Sequence, residues 1–120
     1  MTHPLVRSAA AELLGAGFLV AAVVGSGIAA QRLSPGNTGL QLLENAVATG
    51  AALVALILAF GPVSGAHFNP VVSLVDRLLG GLTTAELGVY VAAQVVGAVA
   101  GAVVANLMFC LLYTSPSPRD

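Results

Sequence analysis

Apolar residues fill this chain in three long blocks, and polar, turn-prone residues collect between them. The first block covers residues 8–30; at about 1.5 Å per helical residue it reaches about 34 Å, enough to cross a bilayer. The second covers 40–60 and runs into Gly61-Pro62, where proline is expected to end the helix. The third covers 84–109. Thr83 or Thr84 suits its N-cap, and Glu86 in its first turn suits the helix dipole. Residues 31–39 read as a polar loop, with the turn composition Pro35-Gly36-Asn37. Between the second and third blocks lies a shorter stretch, 70–79, closed by Gly80-Gly81. About ten helical residues give roughly 15 Å, half of a bilayer core. Small residues recur every fourth position in the first block (Gly17, Ala21, Gly25, Ala29) and the third (Ala93, Gly97, Gly101, Ala105), a spacing that lets membrane helices approach closely. The predicted fold is an all-α membrane protein with three transmembrane helices plus one re-entrant half-helix.

Composition narrows the function. The 120 residues are 58% hydrophobic and 8% charged, against about 25% charged in soluble domains. The chain is therefore expected to sit in a lipid bilayer. The first apolar run is too long for a secretory signal peptide. With four arginines and no lysine, no basic patch exists for nucleic acid. One cysteine excludes an intramolecular disulfide and a cysteine-based metal site. No nucleophile–base pair, phosphate loop or metal cluster is present, so neither an enzyme nor a bound cofactor is expected. With the N-terminus expected in the cytoplasm, Arg7 and Arg77 fall on the cytoplasmic side and Arg32 on the other, a bias of only two to one, which would favour an antiparallel homodimer.

The chemistry concentrates in 65–71. A polar Asn-Pro between membrane segments is costly unless it lines a cavity. Pro70 fits the first position of a helix, where its missing N–H costs nothing. Asn69 before it is a favoured N-cap. A helix that begins at membrane depth is a broken-helix site, suited to binding or conducting small solutes. The alternative for Asn69 is a plain cap. Glu12 is an acid inside a predicted span, where ionisable groups usually face the interior with a partner. Its alternative is a solvated glutamate near the interface, one turn into the span. Glu44 and Asn45 read as mouth or interface residues.

The nine residues Ser64-Gly65-Ala66-His67-Phe68-Asn69-Pro70-Val71-Val72 resemble the first signature loop of the aquaporin, or major intrinsic protein, family: Ser-Gly-Ala-His-x-Asn-Pro-Ala-Val. Val71 stands where alanine is usual. Ala11-Glu12 with Gly15, Gly25-Ser26-Gly27, Tyr90, Ala93-Gln94 and Gly97-Ala98 are similar to the family as well, and the resemblance covers about 5–109. It implies one of two inverted repeats, with the C-terminal repeat missing, and a homotetramer in the full-length protein. In such a pore Asn69, with Pro70 and Val71, would present its amide N–H to the solute. Gly65, Ala66 and His67 would run extended with carbonyls facing the path. His67 is ambiguous between a ring that fixes the loop, with Glu12 as a candidate partner, and a ligand or switch. Glu12 and Gln94 would hydrogen-bond the loop. Thr49 falls at the second-span position of the family's selectivity constriction; its alternative is a packing threonine. It is smaller than the usual aromatic and adds a hydroxyl.

The resemblance thus implies half of a passive channel for water or small neutral solutes such as glycerol, in a bacterial inner (plasma) membrane. Spans one and two also resemble members associated with metalloid resistance, which adds uncharged arsenite. Two alternatives are a half-size carrier working as an antiparallel homodimer and a membrane fragment without activity. The end of the chain departs from this pattern. Residues 110–120 resemble translated sequencing adapter, so 1–109 is expected to be the native repeat and 110–120 a non-native tail.

Overall fold

The structure, a computed structural model, describes residues 3–110. Four helices follow in order: α1 (His3–Leu33), α2 (Thr38–Ser64), α3 (Pro70–Leu78) and α4 (Thr84–Met108), with no strand among the described residues. α1, α2 and α4 are long and apolar enough to cross a membrane, with mean hydropathies of 2.1, 2.2 and 2.0. α3 has nine residues, about 14 Å of helix, and cannot cross alone. The protein is an all-α integral membrane protein with three spans and a half-helix. Of the expected tail, only Cys110 lies within the described residues.

Two helix boundaries differ from the expectation. α1 continues past Ala30 through Gln31, Arg32 and Leu33, so the predicted loop shrinks to 34–37. Arg32 suits the helix C-terminus, and its guanidinium donates to the Phe109 carbonyl at 3.2 Å and lies 5.1 Å over the Phe109 ring. The short turn is closed by Asn37, whose Oδ1 accepts from the Leu40 N–H at 3.0 Å and so caps α2. The second difference is that Gly61-Pro62 does not end α2, which runs through Pro62 to Ser64. Proline removes a single helical donor, and neighbouring side chains can satisfy freed backbone groups in membrane helices. The carbonyl that Pro62 frees is that of Leu58, one turn back. At the helix end, the unpaired carbonyls of the last turn are taken by side chains, Ser8 donating to Val63 at 3.1 Å and Tyr90 to Ser64 at 2.7 Å. Gly65, in the left-handed region at φ 87°, then stops the helix.

Close approach of α1 and α4 organises the rest. A Cβ on Gly97 would lie 2.1 Å from the Leu13 carbonyl oxygen, and one on Gly101 2.1 Å from that of Gly17. Any side chain at either position would force the backbones apart. The stripe Ala93, Gly97, Gly101 and Ala105 is buried accordingly. α1 packs on both α2 and α4, and α3 packs on α4. Among the described residues α2 does not pack along α3 or α4, and it meets α4 through the bond from Tyr90 to Ser64 at its end. Only Ser64 of α2 is buried, and Leu42, Val47 and Leu58 are more than 60% exposed. This leaves an open side between α2 and the half-helix.

Candidate functional site

The segment 65–69 joins α2 to α3 and contains little helical hydrogen bonding of its own. Backbone groups there must be satisfied by side chains. Glu12 of α1 does most of this. Its side chain is fully buried. Oε1 accepts from the Phe68 N–H at 2.8 Å and from Gln94 Nε2 at 2.7 Å. Oε2 accepts from the Ser64 hydroxyl at 2.6 Å and from the His67 N–H at 3.2 Å. These four donors fill the four lone-pair positions that a carboxylate offers. The solvated alternative for Glu12 is thereby removed.

Gln94 of α4 completes the inner layer. Its Nε2 donates to Glu12 and to the Ser73 Oγ at 2.8 Å. A flipped amide would aim an oxygen at the Glu12 carboxylate, so this orientation is required. The Gln94 Oε1 is consequently a buried acceptor with no partner among the described residues. Gln94 reaches the loop through Glu12 and Ser73 rather than by bonding loop backbone directly.

His67 fixes the loop, but not through Glu12. Its Nδ1 lies 2.9 Å from the Ser73 Oγ on α3, and its Nε2 lies 3.7 Å from the Asp76 Oδ2. The ring is tilted against Tyr90 at 5.2 Å between centroids. Only the backbone N–H of His67 goes to Glu12. The expectation that Gly65 and Ala66 run extended also fails. Gly65 has φ 87° and Ala66 φ 55°, and Phe68 follows at φ 56°. Five residues join α2 to α3, and three of them are left-handed where an extended run would have none. Left-handed Ala66 and Phe68 carry a steric cost, offset by the hydrogen bonds from the Ala66 N–H to Ser64 Oγ at 3.1 Å and from the Phe68 N–H to Glu12.

Phe68, Ser73, Tyr90 and Asp76 are supporting residues that sequence reasoning did not assign. The Phe68 ring enters α1 where Gly15 has no side chain; a Cβ there would lie 2.0 Å from the ring. It also meets Phe60 edge-on at 6.1 Å. Two signals were available: the variable position of the signature is an aromatic, and Ser73 and Asp76 are three residues apart, on one face of a helix.

At the tip of the half-helix Asn69 is extended (φ −149°, ψ 128°), with Pro70 in the first turn. Its Oδ1 accepts from the Val71 N–H at 2.8 Å. That bond fixes the amide, and its NH₂ makes no hydrogen bond within the described residues. Asn69, Pro70 and Val71 are exposed on the open side of the molecule. Thr49 lies half-buried on α2, its hydroxyl 3.5 Å from the Asn45 Oδ1, and Asn45 in turn donates to the Val23 carbonyl at 3.0 Å. Thr49 and Asn69 are not brought together, because α2 and α3 do not touch. Glu44 accepts from Ser34 at 2.9 Å beside the α1–α2 turn.

Comparison with known proteins places this arrangement. The family described as Major intrinsic protein matches residues 1–115. The chain is 56% identical over 107 residues to aquaglyceroporin AqpS of Rhizobium meliloti (strain 1021), covering 89% of this chain and 46% of that protein. It is 36% identical over 116 residues to aquaporin Z of Brucella melitensis biotype 1, covering 97% and 47%. Over 72 residues it is 46% identical to aquaporin-8 of Rattus norvegicus, covering 60% and 27%. The chain thus spans less than half the length of these relatives. A half-helix capped by Asn-Pro, a buried glutamate holding the loop before it, and a family match along nearly the whole chain lead to one assignment: this chain belongs to the major intrinsic protein family, whose aquaporins are passive channels and not enzymes.

Proposed function

We propose that this chain is the first half of a channel for small neutral solutes of glycerol size, in a bacterial inner membrane with its N-terminus in the cytoplasm. The observation that carries the reading is the capped tip of the half-helix. Asn69 uses its oxygen on Val71, which leaves a fixed, exposed NH₂ beside a helix N-terminus. That terminus carries roughly half a positive charge. A donor and a positive dipole at one point orient solute oxygens and repel cations and protons. The similarity to an aquaglyceroporin supports the solute class, and so does a threonine rather than an aromatic at 49. Gly65, Ala66 and His67 supply the approach to Asn69, and Glu12 with Gln94 holds that approach rigid. The complete channel consists of this repeat, a second repeat against the open α2–α3 side, and a homotetrameric assembly.

The test joins residues 1–109 to the second half of the Rhizobium meliloti aquaglyceroporin and measures glycerol and water flux in proteoliposomes. Asn69→Asp replaces the donor with an acceptor and adds a charge in a low-dielectric path, so flux should fall. Unchanged flux at equal protein level would show that Asn69 does not face the solute.

A further inference from the structure

We propose that Asp76 is a positioning residue for the solute path, acting through the imidazole of His67. The inference rests on the channel reading for its consequence but not for its geometry. Ser73 and Asp76 lie three residues apart on α3, and both face the His67 ring, one at each nitrogen. Ser73 Oγ already accepts from Gln94 Nε2. Its own proton is therefore free to go to His67 Nδ1, which leaves the ring proton on Nε2, facing the Asp76 carboxylate. At 3.7 Å the contact with Asp76 is longer than a direct hydrogen bond. It acts as an oriented charge that favours the Nε2–H tautomer and holds the ring against the half-helix.

The rest of the surroundings leaves Asp76 as the carboxylate that addresses the ring. On α3 itself, Arg77 is engaged by Thr84, to which its Nε donates at 3.1 Å. From α4, Tyr90 stacks on the ring while its hydroxyl donates to the Ser64 carbonyl, and Glu86 accepts from the Thr83 N–H at the capping box. From α1, Glu12 spends its oxygens on Ser64, Gln94 and the loop amides. The turn after α3 is shaped to admit Asp76. Gly80 is left-handed at φ 89°, the Gly81 N–H returns to the Asp76 carbonyl at 2.8 Å, and a Cβ on Gly81 would lie 2.2 Å from the Asp76 carboxylate. A side chain at 81 would push the carboxylate off the ring. Asp76 and Gly81 thus form one device: the glycine makes the room and the acid orients the imidazole of His67, two residues before Asn69.

Two measurements test this. In the first, the 120-residue chain with ¹⁵N-labelled histidine is placed in lipid nanodiscs, and the imidazole nitrogen shifts of His67 are assigned by comparison with His67→Gln. The expected result is one Nε2–H tautomer. Asp76→Leu and Gly81→Ala should each convert it to a mixture or to the Nδ1–H form, and Asp76→Glu should restore it. An unchanged tautomer in a folded Asp76→Leu or Gly81→Ala protein overturns the proposal, and so does failure of Asp76→Glu to restore it; Gly81→Ala decides alone if Asp76→Leu does not fold. In the second, glycerol flux through the two-half channel described above should fall several-fold in Asp76→Leu and recover in Asp76→Glu. A changed tautomer with unchanged flux overturns the positioning role. Absence of flux through the parent two-half channel counts against the channel reading, and the tautomer result still decides the geometry.

Discussion

Replacing Glu12 by glutamine should loosen the loop at one identifiable amide, that of His67, without unfolding the helices. The glutamine oxygen can take the Oε1 position and keep the bonds from Phe68 and Gln94. Its NH₂ must then face Ser64 and His67. The Ser64 hydroxyl can rotate and accept, but the His67 N–H is a backbone donor and cannot. One orphaned backbone donor costs about 1–3 kcal/mol, which corresponds to roughly 5–150-fold faster opening. Glu12→Leu orphans both loop amides and should cost about 2–6 kcal/mol. Hydrogen–deuterium exchange in nanodiscs reads this directly, with the buried α4 amides of Gly101 and Ala105 as internal references. The expected order at His67 is native slowest, glutamine intermediate, leucine fastest; at Phe68 leucine alone speeds exchange, and the references are unchanged. Native-like exchange at His67 in Glu12→Gln would refute the reasoning, as would an equal rise at every amide, since the effect would then not be local to the carboxylate.

Gly101→Ala places a methyl 2.1 Å from the Gly17 carbonyl oxygen and should lower thermal stability in detergent by about 1–3 kcal/mol or more. Gly50→Ala, where a Cβ meets nothing within 4 Å in mid-helix, should raise it by about 0.5–1 kcal/mol; equal effects at the two sites would contradict the α1–α4 contact. Thr49→Phe in the two-half channel should reduce glycerol flux more than water flux, and a matched loss of both, or of neither, would remove Thr49 from the constriction. Residues 1–109 alone in proteoliposomes should give no selective water or glycerol flux, because the half-helix has no partner to complete the path; selective, proton-tight flux would favour the antiparallel homodimer instead.

Much of this molecule can be read from its residues because membrane folding imposes strong local rules. The three apolar blocks announce three helices, since hydrocarbon leaves the backbone no other partners. Asn69-Pro70 marks the start of α3 because the cap bond and the missing N–H are properties of those two residues alone. The small stripe of α4 marks its contact face. What depends on a partner distant in the chain was not legible. Gly61-Pro62 reads as a helix end, yet α2 runs through it to Ser64, where Ser8 and Tyr90, 54 residues before Pro62 and 28 after it, take carbonyls of the last turn. Gly65 and Ala66 read as extended and are left-handed instead, a conformation tied to bonds from the loop amides to Ser64 and to the distant Glu12. Glu12 could be recognised as needing a partner, yet its four donors come from two distant parts of the chain, 64–68 and Gln94. His67 was left ambiguous by its sequence context. The partners of its ring were decided by which helix face lay opposite, since only the packed structure sets Ser73 and Asp76 at the two nitrogens of one ring.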